Sequence, residues 1–396
     1  MVSAPPALSL IVGELRTGRR LVSMPVSDCS WSVASGSPGT IEATIPKLAA
    51  DYQRMSPVTL GGVTRFVPDG RRRGDLRGVT EPGRMFAAVL AGDRVIEAGP
   101  IWARAEDESS LTVRATGLGS IFDHRLLLSS AVAWGTVGAV ASSSLSYSGL
   151  SLGTIAKRLV QAVMAHTGGD LPIVLPADES GSHERTYPGY EMATVAQRLE
   201  ELSEVEGGPE VAFEPRLTTD RLGIEWVMRV GTAADPTLHQ EGLDWIADAS
   251  AVRGGVKAFA VSEDGTAVTS RAFARGSGTD EATVLSRPAA RTDLLAAGFP
   301  LLDSARSYST VLEQGTIDSH ARADLAANDR PWVTWSLQVE ADARLGQYRP
   351  GDWWTIRTPD MVLVDAGSHR ARCASIRGSL GSPTVDLQMV PMEVAG

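Results

Sequence analysis

The stretch LGQYRPGDWWTIRTPDMVLVD, residues 345–365, sets a Pro-Gly-Asp turn directly before two adjacent tryptophans and places a second Pro-Asp turn between two short apolar runs. Short apolar runs bounded by turn residues read as strands. The stretch therefore predicts two of them, one opening on the indole pair and one at MVLVD. Successive strand residues point to opposite faces, so Trp353 and Trp354 cannot both enter one core. One of them is expected to face something outside its own sheet, which makes the pair a candidate subunit interface.

The same pattern extends in both directions. Toward the N-terminus, LSLIVGELRT, LVSMPVSDCSWSV and TIEATIP alternate apolar and polar residues, and 58–67 and 85–90 continue the alternation. MFAAVLAGDRVIEAGPIW reads as a hairpin across Gly92-Asp93, and SLTVRAT as a further strand. The intervening DGRRRGD at 69–75 reads as a solvated, charged loop broken by glycine. These strands make residues 1–120 one β domain. From 248 to 396 the β character returns. VKAFAV and TSRAFA read as a hairpin across Glu263-Asp264-Gly265, and a helix over about 317–327 leads into WVTWSLQVE, WWTIR, MVLVD, HRARCASI and TVDLQMV. Many short alternating segments of this kind are the mark of a sheet or barrel. The two ends also share a turn, strand, strand layout in GDRVIEAGPIW…LTVRA and GDWWTIRTPDMVLVD…RARCASI.

Between them, 121–247 is mixed. Ser151 is a good N-cap for a helix carrying Ile155, Leu159, Val163 and Met164 on one face. A second helix holds Met192, Val195, Leu199, Leu202 and Val205 at helical spacing and stops at Gly207-Gly208. VAFEP and GIEWVMRV then alternate as a half-buried hairpin would. The expected fold is mainly β with an α+β insert: two β-barrel-like tube domains flanking a small mixed domain.

Composition bounds the function. At 396 residues the chain exceeds one ordinary core, and 43% hydrophobic with 21% charged residues is a folded, globular balance. A formal charge of -10 and a pI of about 5.2 give a surface that repels polyanions, so any contact with nucleic acid is passage rather than grip. Cys29 and Cys373 are the two cysteines, too few for a disulfide framework, and read as buried thiols. No N-terminal segment has the make-up of a secretory signal. The most apolar tract, AVAWGTVGAVA at 131–141, is about half the roughly 20 residues that a spanning helix needs, so no stable membrane insertion is expected. That tract reads as an intersubunit or lumen-facing loop anchored by Trp134, with a buried strand as the alternative.

Motifs for chemistry fail one by one. His183-Glu184 is followed by Arg185, Thr186 and Tyr187, so HExxH is not met, and the six histidines, scattered among turns, read as surface residues. GLSLG at 149–153 fits the G-x-S-x-G nucleophile pattern, but that pattern requires a buried strand before it. The preceding SSSLSYS reads as loop, leaving Ser151 as a helix cap. GLGSIF lacks the third glycine of a dinucleotide fingerprint, GSGTDE opens no helix, and no GK[ST] follows a strand. The sequence thus predicts no catalytic residue, no bound cofactor and no metal. Two other readings stay open: a hydrolase, acting through Ser151 or paired carboxylates, and a carbohydrate-binding adhesin using some of the nine tryptophans.

Together the pieces resemble a known family. The MFAAVLAGDRVIEAGPI hairpin, the insert opening at LSLGTIAKRLV, the loop GSGTDEATVL and the late helix followed by WVTWSLQVEADARLGQYRPGDWWTI are similar to the tail hub proteins, also called minor tail or tail-associated proteins, of long-tailed phages infecting actinobacteria. The architecture is similar to the baseplate hubs of contractile-tailed phages. The resemblance implies a non-enzymatic homotrimeric ring at the distal end of the tail tube, two related β domains per chain, and an insert projecting from the ring. It implies as partners the distal tail protein, the C-terminal end of the tape-measure protein and tip or fibre proteins. Viral DNA would pass through without specific binding. The location implied is the virion tail tip, with synthesis in the bacterial host cytoplasm.

Overall fold

The computed structural model describes residues 8–47, 53–60, 63–72, 76–132, 135–251, 254–309, 311–342 and 344–392. Among these, fifteen strands join into one sheet, and most neighbouring strands run antiparallel. Its path runs Val256–Asp264, Trp332–Glu340, Thr384–Pro391, Gly367–Ser379, Asp28–Ala34, Ser37–Pro46, Ser110–Thr116, Arg94–Glu106, Met85–Ala91, Leu8–Glu14, Arg20–Met24, Gln53–Leu60 and Val63–Arg72. Trp353–Thr358 joins on Gly367–Ser379, and Trp245–Asp248 pairs with it in parallel. The path is open: no pairing between its two end strands is seen among the described residues.

The fold is mainly β with an α+β insert, as the alternation predicts. The two β ends are, however, joined edge to edge, because Gly367–Ser379 pairs with Asp28–Ala34, Ser375 standing opposite Ala34 and Ser379 opposite Ser30. One core serves both: Leu10, Trp31 and Ile41 from the N-terminal end pack in the same cluster as Trp335, Trp354 and Leu387 from the C-terminal end. Along Leu8–Glu14 the side chains alternate between two interiors. Leu10 and Val12 enter the shared core, and Ile11 enters a second one with Phe86, Leu90 and Ala98. With both faces covered, Met85–Ala91 is a continuous apolar run, buried at every position.

The second core is closed by the insert. Trp226 is fully buried against Phe86, edge to face with ring centroids 5.7 Å apart, and its indole N–H donates to the Ala98 carbonyl at 3.0 Å. The predicted hairpin is present as Val211–Leu217 with Ile224–Val230. Helix Leu152–Met164 buries Ile155, Leu159 and Val163, and helix Val195–Ser203 buries Val195, Leu199 and Leu202. Met192 precedes the second helix in a left-handed conformation (φ 48°) and is exposed.

Five readings are corrected. VKAFAV and TSRAFA do not pair with each other. Val256–Asp264 lies on Trp332–Glu340, whereas Arg271–Arg275 leaves the sheet to pair with Ala289–Ala290 and Asp303–Ser307. Helix Gln314–Asn328 covers that small sheet, with Ile317 and Ala321 in a core of their own. MVLVD is no strand: Met361 bridges back to Val364, and Val362 is fully exposed at the tip. SSSLSYS is not loop, since Ser144–Leu150 pairs with Ser180–Pro188 in an exposed two-stranded ribbon. In DGRRRGD, 69–72 belong to strand Val63–Arg72, and 73–75 lie outside the described residues. The histidines are not all at the surface: His320 is buried and stacks on Tyr308 at 3.8 Å.

Of the 131–141 tract, Thr136 caps a short helix, Val137–Ser142, that buries Val140 and exposes Val137, so it is not a strand. Trp134 lies outside the described residues. No helix among the described residues is long and apolar enough to cross a membrane.

Candidate functional site

The Pro350-Gly351-Asp352 turn sets up the indole pair. Gly351 has φ +96°, and a Cβ there would fall 2.3 Å from the Leu238 carbonyl oxygen, so both backbone angle and space require glycine. Asp352 is buried, which raises its carboxyl above the usual range, and its Oδ2 accepts from the Trp245 indole N–H at 3.0 Å and the Arg349 amide at 2.9 Å. These bonds hold the chain as it turns into Trp353–Thr358. Trp354 then points inward. It is 3% exposed and packs against Trp245 and Tyr348, with centroids 6.1 and 5.4 Å away.

Trp353 points the other way. The Arg370 guanidinium lies over its ring at 4.4 Å, and Asp244 holds that guanidinium through two bonds of 2.8 and 3.0 Å. A guanidinium on an indole face gains cation–π attraction. Gln240 clamps the backbone, its Oε1 accepting from the Trp353 amide and its Nε2 donating to the Trp353 carbonyl. Ile246, opposite Thr355 on the same outward face, is largely exposed. Of the two tryptophans, Trp353 alone has surface to offer. An arginine-stacked indole thus sits beside an exposed isoleucine on the outward face.

On the other side of the same turn lies a cavity of about 670 Å³, where the two β ends meet the insert. Arg372 fastens this junction: its guanidinium donates to Glu210 at 2.6 and 2.5 Å and to the Leu238 and Gly351 carbonyls at 2.6 and 2.9 Å. Glu97 lines the cavity and is 4% exposed. Its Oε1 accepts from the Ala98 amide at 2.8 Å. Burial pushes its carboxyl up to about 8, although the nearby charge of Arg349 pulls the other way. Sequence reasoning missed this residue. Its one trace is a carboxylate in the apolar run RVIEAGPI, where both neighbours in the strand are buried.

The remaining candidate residues do not converge on chemistry. Ser151 is 1% exposed, and its Oγ accepts from the Thr154 amide at 3.1 Å as a helix cap. The strand preceding it belongs to the exposed ribbon, so the strained elbow of a serine hydrolase is not built. Cys29 and Cys373 are buried free thiols. Burial pushes Cys29 up to about 12 and Cys373 up as well. Among the described residues no three His, Cys, Asp or Glu side chains group to hold a metal ion.

No family model matches the sequence, and no curated protein matches it at a significant level. Solved structures do match. A tail protein from Neisseria meningitidis MC58 superposes with a TM-score of 0.52 over 97% of this chain and 96% of its own, at 11% identity. The 43 kDa tail protein of prophage MuSo2 from Shewanella oneidensis superposes with a TM-score of 0.53 over 97% and 98%, at 10% identity. The chain therefore has the fold of tail proteins. At such identities the likeness is one of fold, and it extends over almost the full length of all three chains.

Proposed function

We propose that this protein is a structural hub of a phage tail tip, in which three copies close into a ring at the end of the tail tube. One observation carries the reading: both ends of the chain and the insert between them are shared, over nearly full length, with two tail proteins. Residues 1–120 and 248–396 act as the two tube-like parts, so that three chains present six, and 121–247 projects from the ring. The role is non-enzymatic and belongs to the virion, after synthesis in the bacterial cytoplasm.

The outward face of Trp353, Arg370 and Ile246 serves as the contact between copies. A heterologous, ring-closing contact also covers sheet edges that would otherwise invite aggregation. Trp245–Asp248 is such an edge, paired among the described residues with Trp353–Thr358 alone. The distal tail protein sits above the ring, the C-terminal end of the tape measure in its lumen, and tip or fibre proteins below. The net charge of -10 suits DNA passage, since phosphates are not trapped by counterion release on an acidic wall.

Light scattering coupled to size exclusion, with negative-stain imaging, tests this. A threefold ring is expected, and Trp353→Ala combined with Ile246→Asp should shift it toward monomer while leaving thermal unfolding of the single chain nearly unchanged. A wild-type monomer at high micromolar concentration that also fails to bind the distal tail protein refutes the proposal.

A further inference from the structure

The cavity beside the Pro-Gly-Asp turn has a chemistry that a ring hub does not call for. Its walls are apolar where Pro38, Leu199 and Phe213 line it, and its ionisable groups are mostly acidic. Glu210 is bound by Arg372, Glu214 by Arg229 at 2.8 Å, and Glu204 by Arg306 at 3.3 Å. Asp123 and Glu200 have no ion-pair partner among the described residues. Arg349, 3.5 Å from Glu214, is the single cation among the lining residues. The second observation is Glu97. It is more than nine-tenths buried, lines the cavity and has Oε1 satisfied by its neighbour's amide. Oε2 has no hydrogen-bond partner among the described residues. A Cβ at Gly39 would come within 1.9 Å of that oxygen, so glycine at 39 is what leaves room for the Glu97 carboxylate at the cavity wall.

We propose that this cavity binds an arginine side chain presented by an extended segment of a partner polypeptide, with the guanidinium on the free oxygen of Glu97 and its stem against Leu199 and Phe213. A volume of about 670 Å³ is that of a ligand pocket and admits residues flanking the arginine. Arginine is favoured over lysine because its planar, weakly hydrated guanidinium can lie along an apolar wall while its N–H groups donate to the free oxygen. Asp123, Glu200 and Glu204 at the rim attract the cation. Arg349 opposes it but is engaged by Glu214. A guanidinium at Glu97 also restores the charged form of a carboxyl that burial has pushed up to about 8, so binding near pH 7 releases a proton. The inference does not rest on the tail reading: a chain that stays monomeric tests it equally well.

The test is titration calorimetry of the full chain with acetyl-Gly-Arg-Gly-amide and with its neutral citrulline counterpart, at pH 7 in two buffers of different ionisation enthalpy. Saturable binding of the arginine peptide, at least about tenfold tighter than citrulline, with proton release to buffer, is expected. Glu97→Gln, which keeps the side-chain shape, should weaken binding about tenfold or more and abolish the proton release. Glu200→Gln, on a solvent-facing helix side, should fold normally and weaken binding about two- to fivefold. No saturation by the arginine peptide, equal binding of citrulline, or unchanged affinity in either folded variant overturns the proposal.

Discussion

Glu97 gives the sharpest stability prediction, because one buried carboxyl dominates a pH window in which few other groups change. Burial pushes it up to about 8 from an ordinary 4.5. In the folded chain it keeps its proton up to that pH, whereas in the unfolded chain it loses it near 4.5. Between the two, the folded state holds the extra proton, so raising pH favours the unfolded chain. At about 1.4 kcal/mol per pH unit the full gap is about 5 kcal/mol, an upper bound because Glu97 faces a cavity rather than packed hydrocarbon. About 3 kcal/mol is expected. Glu97→Gln replaces the carboxyl by a group that never ionises, and the comparison cancels every other titrating residue, including His239 and His320. Urea unfolding followed by tryptophan fluorescence from pH 5 to 8.5 should show the variant about as stable as wild type at pH 5. It should gain on wild type from about pH 5 upward, lead by about 3 kcal/mol near pH 8 and level off above that. A difference that stays constant within about 0.5 kcal/mol across that range refutes the reasoning, since it would mean that Glu97 ionises as an exposed carboxyl does.

Trp354→Ala should cost about 3–5 kcal/mol in the same assay, the range for emptying an aromatic site in a core. Trp354→Phe should cost only about 1–2, since the buried indole N–H has no partner to lose. Arg372→Met should cost about 2–4 kcal/mol by stranding Glu210 and two carbonyls, the figure being held below that of a fully buried pair because the partners are 20% and 30% exposed. Ser151→Ala should cost about 1 kcal/mol of stability through loss of the helix cap, with ester turnover no different from wild type.

Much of this was readable from the residues. Period-2 alternation located the strands from Leu8 to Thr116, and the Gly92-Asp93 turn set the Met85–Ala91 hairpin in its correct register, Ala91 opposite Arg94. Ser151 with its four apolar positions gave the first insert helix, because a cap and a 3.6 period are local signals. The failures share a cause: pairing is not local. VKAFAV and TSRAFA carry a good hairpin turn, yet Val256–Asp264 gains more by pairing along its length with Trp332–Glu340, which buries the Trp335 face against the shared core. MVLVD is apolar enough for a strand, but Gly367–Ser379 already pairs with Trp353–Thr358 directly across the turn, and the bulge of 359–366 is left as an exposed tip. Glu97 was invisible because its effect depends on Gly39, Gly117 and the insert, none of which is near it in sequence.

The indole pair shows how one local fact can have distant consequences. Alternation alone required the two rings to part, and the structure uses both sides. Trp354 enters the core that joins the two ends of the chain, whereas Trp353 lies outward under Arg370. The turn that delivers them packs closely against Leu238 at Gly351, Arg372 donates to the carbonyls of both, and the Leu238 amide donates to Glu210. The C-terminal sheet and the insert are therefore fixed to each other by polar bonds, while Trp226 fixes the insert to the N-terminal sheet by burial. The space where these three parts meet is the cavity that Glu97 lines. A buried acid there is costly at neutral pH, and a chain with an ordinary core alanine at 97 would escape that cost. A cationic partner at that carboxyl would offset the cost by stabilising its charged form.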